Sequence, residues 1–122
     1  MGSEFSEVEP GLEYRIERVI DSSMLTAHVG GAGLFATPSM ILLMEQAAHG
    51  AVEPQLGIGY TTVGYEVCVR HVAPAKEGET VFVTARLKEM NGHRLLFDVE
   101  CATDDVLVGS GTHKRAIIPA LG

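Results

Sequence analysis

The feature that most constrains this chain is one segment, residues 38–52, whose apolar side chains would cover nearly every side of a helix. Thr37 is a favourable N-cap, Pro38 suits the first helical position, and Pro54 would end the helix. The apolar positions are Ile41, Leu42, Leu43, Met44, Ala47, Ala48, Ala51 and Val52. A helix that is apolar all round is buried on most of its surface. In a chain of 122 residues, only a sheet curled around the helix could bury it in this way.

Five other segments have the alternating residue pattern of β-strands. They are residues 12–20, 60–72, 81–88, 95–101 and 106–118. The order is therefore one strand, the long helix, and then four strands in the style of a meander. This order predicts an α+β fold in which one long buried helix is wrapped by a curved antiparallel sheet of about five strands.

The turn between the third and fourth of these strands can be tested against their apolar faces. A two-residue turn at Asn91–Gly92 would place the two apolar sets on opposite faces of the sheet. A three-residue turn over residues 90–92 pairs Leu87 with Leu95 and places both sets on one face. We therefore predict the three-residue turn, with Gly92 in the left-handed conformation and a bulge beside it.

Composition limits the classes of function. The net charge of −7 and the pI near 5.1 weigh against nucleic acid, which needs a basic face, and against an anionic membrane surface. No apolar run approaches the roughly 20 residues of a membrane-spanning helix. The first ten residues carry three glutamates and no basic residue, so no signal peptide is expected and a cytoplasmic protein is predicted.

The chain is expected to form one domain. Residues 1–5 are typical of a cloning remnant, which leaves residues 6–122 as the domain. In the absence of a secretion signal, Cys68 and Cys101 are predicted to be reduced, buried thiols.

Glu45 interrupts the apolar helix and is the first candidate for chemistry. It is either a glutamate at the solvent edge of the helix or a partly buried carboxylate that faces a cleft. His49 follows four residues later and could touch it, but this pair is too small to predict a metal site. No metal is therefore expected.

Two further stretches carry candidate residues. His71 shares a strand face with Val63, Tyr65, Val67 and Val69 by simple alternation. It is either a hydrogen-bonded core histidine or a general base. His113 and Arg115 follow two glycines within the last strand and share one face, either at a solvated edge or as cations for a phosphate or carboxylate.

Three motifs together resemble the hotdog thioesterases, and most closely the fluoroacetyl-CoA thioesterase group. They are Phe-Ala-Thr37 with a helix continuing into Leu-Met-Glu45, Val-Cys-Val-Arg-His71-Val-Ala-Pro with a following Glu-Gly-Glu, and Gly-Ser-Gly-Thr-His-Lys-Arg115-Ala-Ile-Ile. Each motif alone is weak. All three occur in order, with matching spacings from threonine to glutamate and from glutamate to histidine, and the resemblance covers residues 34–118.

This resemblance implies a hotdog fold, an acyl-CoA substrate and a catalytic set of Thr37, Glu45 and His71. It also implies that Gly64 lines the acyl pocket through its backbone and that Arg115 lies near the site. Members of the group are dimers in which strands of the two chains form one continuous sheet, with active sites near the interface. A homodimer is therefore expected, with assembly to a tetramer left open.

The chain departs from the group in residues 27–33, where the fluoroacetyl-specific enzyme carries the phenylalanines of a hydrophobic gate. Here the first aromatic residue is Phe35, which is counted among the substrate-binding residues. The resemblance therefore implies hydrolysis of a different short or branched acyl-CoA to free acid and coenzyme A.

The start of the helix suggests a mechanism. The N–H groups of Ser39 and Met40, at the positive end of the helix dipole, are expected to meet the thioester oxygen. Glu45 would then activate water or attack directly, Thr37 would hold the water or the carboxylate, and His71 would orient the thioester or move a proton. No cofactor is expected beyond the coenzyme A that forms part of the substrate.

Cations for the anionic coenzyme A are sought among Arg70, Lys76, Lys114 and Arg115. Three other functions remain open at this point: a non-catalytic binding module for an acyl-CoA or another small apolar ligand, a hotdog dehydratase or hydratase, and a purely structural interaction domain. The second would need an aspartate–histidine pair before the helix, and His28 has no suitable aspartate beside it after Asp21.

Overall fold

The computed structural model describes residues 5–121 as one long helix held in the curve of an antiparallel sheet. The elements in chain order are β1 Glu13–Val19, β2 Leu25–Thr26, β3 Leu34–Phe35, α1 Thr37–Val52, β4 Tyr60–His71, β5 Thr80–Asn91, β6 Arg94–Ala102 and β7 Leu107–Pro119, with short 3-10 turns at Ser22–Met24 and Glu53–Gln55. The predicted helix and the five predicted strands are confirmed. Within residues 5–121 no helix is long and apolar enough to cross a membrane.

The main sheet has the strand order β1-β5-β6-β7-β4, and β2 pairs with β3 in a separate two-stranded sheet. Only β5, β6 and β7 form a meander, so the predicted meander of four strands is wrong for β4, which pairs with β7 at the edge. The curvature of the sheet explains how residues 72–79 can connect one edge strand to β5. This connection runs past the helix start, where the Phe35 N–H donates to the Ala75 carbonyl at 2.9 Å.

The hairpin between β5 and β6 differs from the prediction. Asn91 pairs with Arg94, so the turn has two residues, Gly92 and His93, and Leu87 pairs with Phe97. Gly92 is left-handed, as predicted, with φ of 62°. The expected bulge lies in the strand between Leu87 and Glu89 instead of in the turn, and it shifts the register by one residue. That shift returns both apolar sets to the same face, which is the constraint that the sequence imposed.

Helix α1 begins one residue earlier than predicted. Ala36 occupies the N-cap position, and no side chain caps the helix. Thr37 is therefore the first helical residue and not the cap, which leaves its hydroxyl group available for another partner. The buried residues of α1 are Met40, Leu43, Met44, Ala47, Ala48, Ala51 and Val52. Leu42 is exposed, so one side of the helix is not covered by this chain.

Both cysteines are free thiols, but only one is buried. Burial raises the pKa of the Cys101 thiol to about 12. The prediction that both are buried is wrong for Cys68, which lies on the edge strand β4 where no further strand covers it. Of residues 1–5 the structure describes only Phe5, which is buried against the Tyr60 ring at a centroid distance of 4.9 Å.

Strands β4 and β7 approach each other closely because two glycines of β7 have no side chain. A Cβ atom on Gly109 would lie 2.5 Å from Met40 Sδ, and one on Gly111 would overlap the carbonyl oxygen of Cys68. Since the second obstacle is backbone, it cannot move without separating the two strands.

Gly111→Ala should therefore lower the free energy of unfolding by about 2–4 kcal/mol through strain at the β4–β7 pair. Ser110→Ala, at the next residue, is the matched control and should change stability by less than about 1 kcal/mol. Urea unfolding of both variants measures the difference. Equal midpoints and slopes for Gly111→Ala and the parent would show that the close approach is not required.

Candidate active site

Thr37 and His71 meet at the start of α1. Thr37 Oγ1 lies 2.8 Å from His71 Nδ1, so one of the two groups donates a hydrogen bond to the other. The ring of Phe35 stands edge-on to the imidazole with centroids 6.1 Å apart. Within residues 5–121 the buried Nε2 of His71 has no hydrogen-bond partner. The hydrogen-bonding capacity of this nitrogen is therefore not met by the described residues.

The helix start supplies fewer donors than the sequence suggested. The Met40 N–H donates to the Ala36 carbonyl at 3.1 Å and is the first bond of the helix, so it is not available to a substrate. The N–H groups of Thr37 and Ser39 precede this bond and have no partner within the helix. Ser39 is half-buried and lies two residues after Thr37, in the same first turn of the helix.

Glu45 lies in a second cluster, formed by α1, β4 and β7. Its carboxylate is 38% exposed, and Oε1 lies 4.0 Å from Arg115 Nη1. Gly64 covers both groups: a Cβ atom there would lie 3.1 Å from Glu45 Oε1 and 2.8 Å from His113 Cε1. The missing side chain of Gly64 therefore lets the backbone of β4 pack directly against the carboxylate.

Arg115 is almost completely buried, and it makes hydrogen bonds to other residues of the same cluster. Its Nε donates to Thr62 Oγ1 at 2.8 Å and its Nη2 donates to the Thr62 carbonyl at 3.0 Å. Burial lowers the pKa of the guanidinium, while the carboxylates of Glu45 and Glu53 act in the opposite direction. A guanidinium remains charged in proteins, so a fixed cation lies beside Glu45.

His113 is the most buried ionisable residue of this cluster, at 1% exposure. Its Nδ1 lies 2.8 Å from the Glu66 carbonyl oxygen, to which it can only donate. Burial lowers the pKa of the imidazole, and the neighbouring Arg115 cation lowers it further, against the effect of the Glu66 bond. Both His113 and Arg115 are central to the inner face, so the alternative of a solvated edge is wrong.

The face that His71 occupies was predicted only in part. A bulge between Gly64 and Glu66 shifts the register of β4 against β7. His71, Val69 and Val67 share the inner face, opposite Gly109, Gly111 and His113, as alternation predicted. Before the bulge the inner positions are Thr62 and Gly64, so Val63 points to the other face. The sequence showed no signal for this bulge, and simple alternation was wrong beyond it.

Within one chain the two clusters do not meet. Eight residues of α1 separate Thr37 from Glu45, a rise of about 12 Å. Along β4, Gly64 and His71 are separated by roughly 20 Å. The structure therefore joins Thr37 to His71 and Glu45 to Gly64 and Arg115, but it does not bring Glu45 to the other two predicted catalytic residues.

Thr62 and Glu53 extend the second cluster and were not singled out in the sequence, whereas His49, which joins them, was. Thr62 is buried and also lies 3.3 Å from His49 Nδ1 through its hydroxyl group. His49 Nε2 lies 3.5 Å from the Glu53 carboxylate, so the expected contact of His49 with Glu45 is replaced by one in the opposite direction along the helix. In the described part of the chain no three potential ligands are grouped to hold a metal ion.

The loop between β2 and β3 borders an open cleft of about 690 Å³. Its lining residues are Val29, Gly30, Ala32, Gly33, Leu34, Lys76 and Glu77. None of them is aromatic, and Lys76 places one cation at its edge. Its lining residue Leu34 belongs to β3, and Phe35 and Thr37 follow directly in the sequence. The cleft therefore adjoins the Thr37–His71 pair along the chain.

Comparison with known proteins gives a consistent assignment. A family model for fluoroacetyl-CoA-specific thioesterases matches residues 19–120. A curated fluoroacetyl-CoA thioesterase from Streptantibioticus cattleyicolor is 42% identical over 85 residues, or 70% of this chain. The chain spans 61% of the length of that relative.

Solved structures extend the likeness over more of the chain. A fluoroacetyl-CoA thioesterase superposes with a TM-score of 0.85 at 32% identity, over 92% of this chain and 89% of that protein. A phenylalanine-to-alanine mutant of such an enzyme, solved with fluoroacetate and CoA, gives 0.84 at 32% identity, over 92% and 96%. A hot-dog-like protein from Thermanaerovibrio acidaminovorans gives 0.86 at 21% identity, over 97% and 90%, which shows the fold alone. The predicted hotdog fold is confirmed.

The lowered pKa of His113 makes stability depend on pH. The folded chain holds this histidine neutral below its usual pKa of 6.5, whereas the unfolded chain protonates it there, so stability is full above about pH 6.5 and falls as the pH decreases. His113→Gln should reduce the slope of unfolding free energy against pH below about pH 6.5, by at most about 1.4 kcal/mol per pH unit.

Urea unfolding across this range measures the slope. The matched control His28→Gln removes an exposed loop histidine and should keep the parental slope. If His113→Gln also keeps it, the buried imidazole is not a source of the pH dependence.

Proposed function

Because the chain belongs to the fluoroacetyl-CoA-specific thioesterase family, we propose that it hydrolyses a short or branched acyl-CoA to the free acid and coenzyme A. The observation that carries this proposal is the Thr37–His71 pair at the helix start, with the buried Nε2 of His71 left without a partner. A neutral ligand atom that needs a hydrogen bond, such as a thioester oxygen or a water molecule, fits such a nitrogen.

The chemistry assigns a role to each group. The thioester oxygen would accept a hydrogen bond from the Ser39 N–H at the positive end of α1, which stabilises the charge that develops on this oxygen. Glu45 would take a proton from water as the water oxygen bonds to the carbonyl carbon. The C–S bond then breaks, the sulfur of coenzyme A leaves and takes up a proton, and the free acid remains. Thr37 would hold the reacting groups in place, and His71 would orient the thioester and pass on the proton that the sulfur takes up.

The proposed substrate is consistent with the lining of the cleft. The loop of residues 27–33 carries only small or aliphatic side chains apart from His28, so the acyl group meets no aromatic gate there. This supports a short or branched acyl group that differs from fluoroacetyl. Exposed Lys76 and Arg70 are candidates for the phosphates of coenzyme A, whereas Lys114 is paired with Glu66 at 3.4 Å.

Assembly of two chains would join the separated clusters. Strand β4 is an edge strand with exposed Tyr65 and Val67, and an uncovered edge readily pairs with another strand. Antiparallel pairing of two β4 strands around an axis between Val67 and Cys68 would place Gly64 of one copy opposite His71 of the other. Glu45 of the second copy would then approach Thr37 and His71 of the first, and a homodimer would hold two complete sites.

The proposed reaction requires no cofactor beyond the coenzyme A of the substrate, because water, a carboxylate and hydrogen-bond donors suffice for it. The cytoplasm is the proposed location. Two free cysteines and no disulfide within residues 5–121 are typical of a reducing compartment.

Release of free coenzyme A from a panel of acetyl, branched, aryl and long-chain acyl-CoAs tests the activity. Glu45→Gln and His71→Ala should each lower kcat/KM by about 10²–10⁴-fold, the typical contribution of one general acid–base group. Glu17→Gln, an exposed glutamate of β1, is the control and should keep the parental rate.

Parental rates in both variants would refute the roles of Glu45 and His71. Absence of turnover across the whole panel, combined with tight binding of an acyl-CoA, would replace the enzyme with a binding module for the same ligand.

Mixing two inactive variants tests the shared site. When Glu45→Gln is unfolded and refolded with His71→Ala, half of the dimers are mixed and each mixed dimer has one intact site, so about a quarter of the parental activity should return. Mixing His71→Ala with Thr37→Val is the control: both changes fall in the same half of the site, and no activity should return. Failure of the first mixture to regain activity would show that each site is built from a single chain.

A further inference from the structure

His113 is a buried imidazole whose two nitrogens both have partners, and the proposed reaction does not use it. Because Nδ1 donates to the Glu66 carbonyl at 2.8 Å, the proton of the neutral ring is on Nδ1. Nε2 then carries a lone pair and can only accept a hydrogen bond. Arg115 Nη1 lies 3.2 Å from it and donates this bond.

Two of the three guanidinium nitrogens of Arg115 are fixed by bonds to Thr62, and the third faces two acceptors. The bonds from Nε and Nη2 to Thr62 hold the guanidinium plane against β4. The remaining nitrogen, Nη1, lies 3.2 Å from His113 Nε2 but 4.0 Å from Glu45 Oε1. The first distance is within hydrogen-bond range and the second is beyond it. Arg115 is thus bonded to a neutral ring and only adjacent to the carboxylate.

We propose that His113 is a positioning residue that holds Arg115 back from Glu45, so that the carboxylate remains free to take a proton from water. This inference rests on the proposed role of Glu45 as the base. Arginine and carboxylate otherwise form short, strong, often bidentate bonds, and a carboxylate held in this way is a weaker base. The cation at 4.0 Å still orients the carboxylate without engaging its lone pairs.

The surroundings of His113 keep the ring in the position that this role needs. It stacks on Phe97 with an interplanar angle of 30° and a centroid distance of 6.4 Å. The carbonyl that it bonds belongs to Glu66, where the bulge of β4 ends. Gly64 lies against the other side of this cluster, where a Cβ atom would be only 2.8 Å from His113 Cε1 and 3.1 Å from Arg115 Nη1, so any side chain at position 64 would displace the ring or the guanidinium.

Two other ionisable groups act on this cluster. Glu53 attracts the Arg115 guanidinium from the end of the helix, and His49 lies between Glu53 and the hydroxyl group of Thr62. Neither makes a hydrogen bond to His113, Arg115 or Glu45 among the contacts of the described residues. Substitutions at position 113 therefore change the distance between Arg115 and Glu45 without directly removing either of these groups.

The pair His113→Asn and His113→Gln separates this role from a purely structural one. The amide of asparagine lies where Nδ1 lies, so it keeps the bond to Glu66 and loses the acceptor for Arg115. The amide oxygen of glutamine reaches the position of Nε2, so it keeps the acceptor and loses the bond to Glu66. A structural role predicts that glutamine is the more harmful change, whereas the proposed role predicts that asparagine is.

The measurement is the pH profile of kcat and kcat/KM for the parent and both variants, with folding checked by circular dichroism. In His113→Asn, Arg115 should close on Glu45, which moves the acid limb of kcat/KM down by about one pH unit and lowers kcat by roughly three- to tenfold. His113→Gln should keep the parental acid limb. Arg115→Met in the His113→Asn background should remove the downward shift, because no cation is left to close.

A parental acid limb in His113→Asn, or a fall in kcat for both variants without any shift, would overturn the inference. These outcomes differ from failure of the proposed function. If the parent does not hydrolyse any acyl-CoA, or if Glu45→Gln remains active, the base has been wrongly assigned. If the parent is active and Glu45→Gln is inactive, but the His113 variants keep the parental pH profile, the proposed function stands and the inference on His113 is wrong.

Discussion

Burial of α1 in the curve of the main sheet is the constraint on which the other features depend. An apolar helix in water costs about 25 cal/mol for each Å² of apolar surface left exposed, and residues 5–121 contain no second α-helix to cover it. The sheet must therefore curl, and the curl brings the inner faces of β4 and β7 against two polar residues of the helix, Thr37 and Glu45. The site forms because the same packing that excludes water from Met40 and Ala47 leaves these two polar residues beside strand edges.

Polar groups inside such a packed layer need partners, and this chain meets the need in two ways. Around Arg115 the hydrogen bonds are made within the chain: Arg115 donates to Thr62 and His113, and His113 donates to the Glu66 carbonyl. Around His71 the bonding is incomplete, since Thr37 satisfies one nitrogen and the other is left over. A buried polar atom without a partner is costly. The complete cluster is therefore suited to hold groups in place, and the incomplete one is suited to receive a ligand.

The sequence predicted the helix, the strands and the fold because these follow from apolar periodicity, which is a property of every residue in an element. Residue pattern singled out Glu45, His71 and Arg115 without a role, the resemblance added Thr37 and Gly64, and the division of these residues into two separate clusters was not predicted. Two bulges explain much of this difference. Each shifts a register by one residue, at Lys88 in β5 and at Tyr65 in β4, and neither position differs in residue type from ordinary strand. The N-cap was misplaced for a related reason: a threonine that suits a cap also suits a hydrogen bond to a distant histidine.

The bulge at Tyr65 also determines which parts of the chain can change in length. A residue deleted from the middle of β4 would turn every later side chain over, so that Val72 would take the inner position that His71 now holds. The loop of residues 27–33 joins only the two-residue strands β2 and β3, and its length does not affect the register of the main sheet. Insertions and deletions can therefore accumulate in that loop during evolution, whereas β4 can diversify only by exchange of one residue for another. Relatives of this chain should accordingly differ in acyl preference through the length of a loop while keeping the spacing of β4.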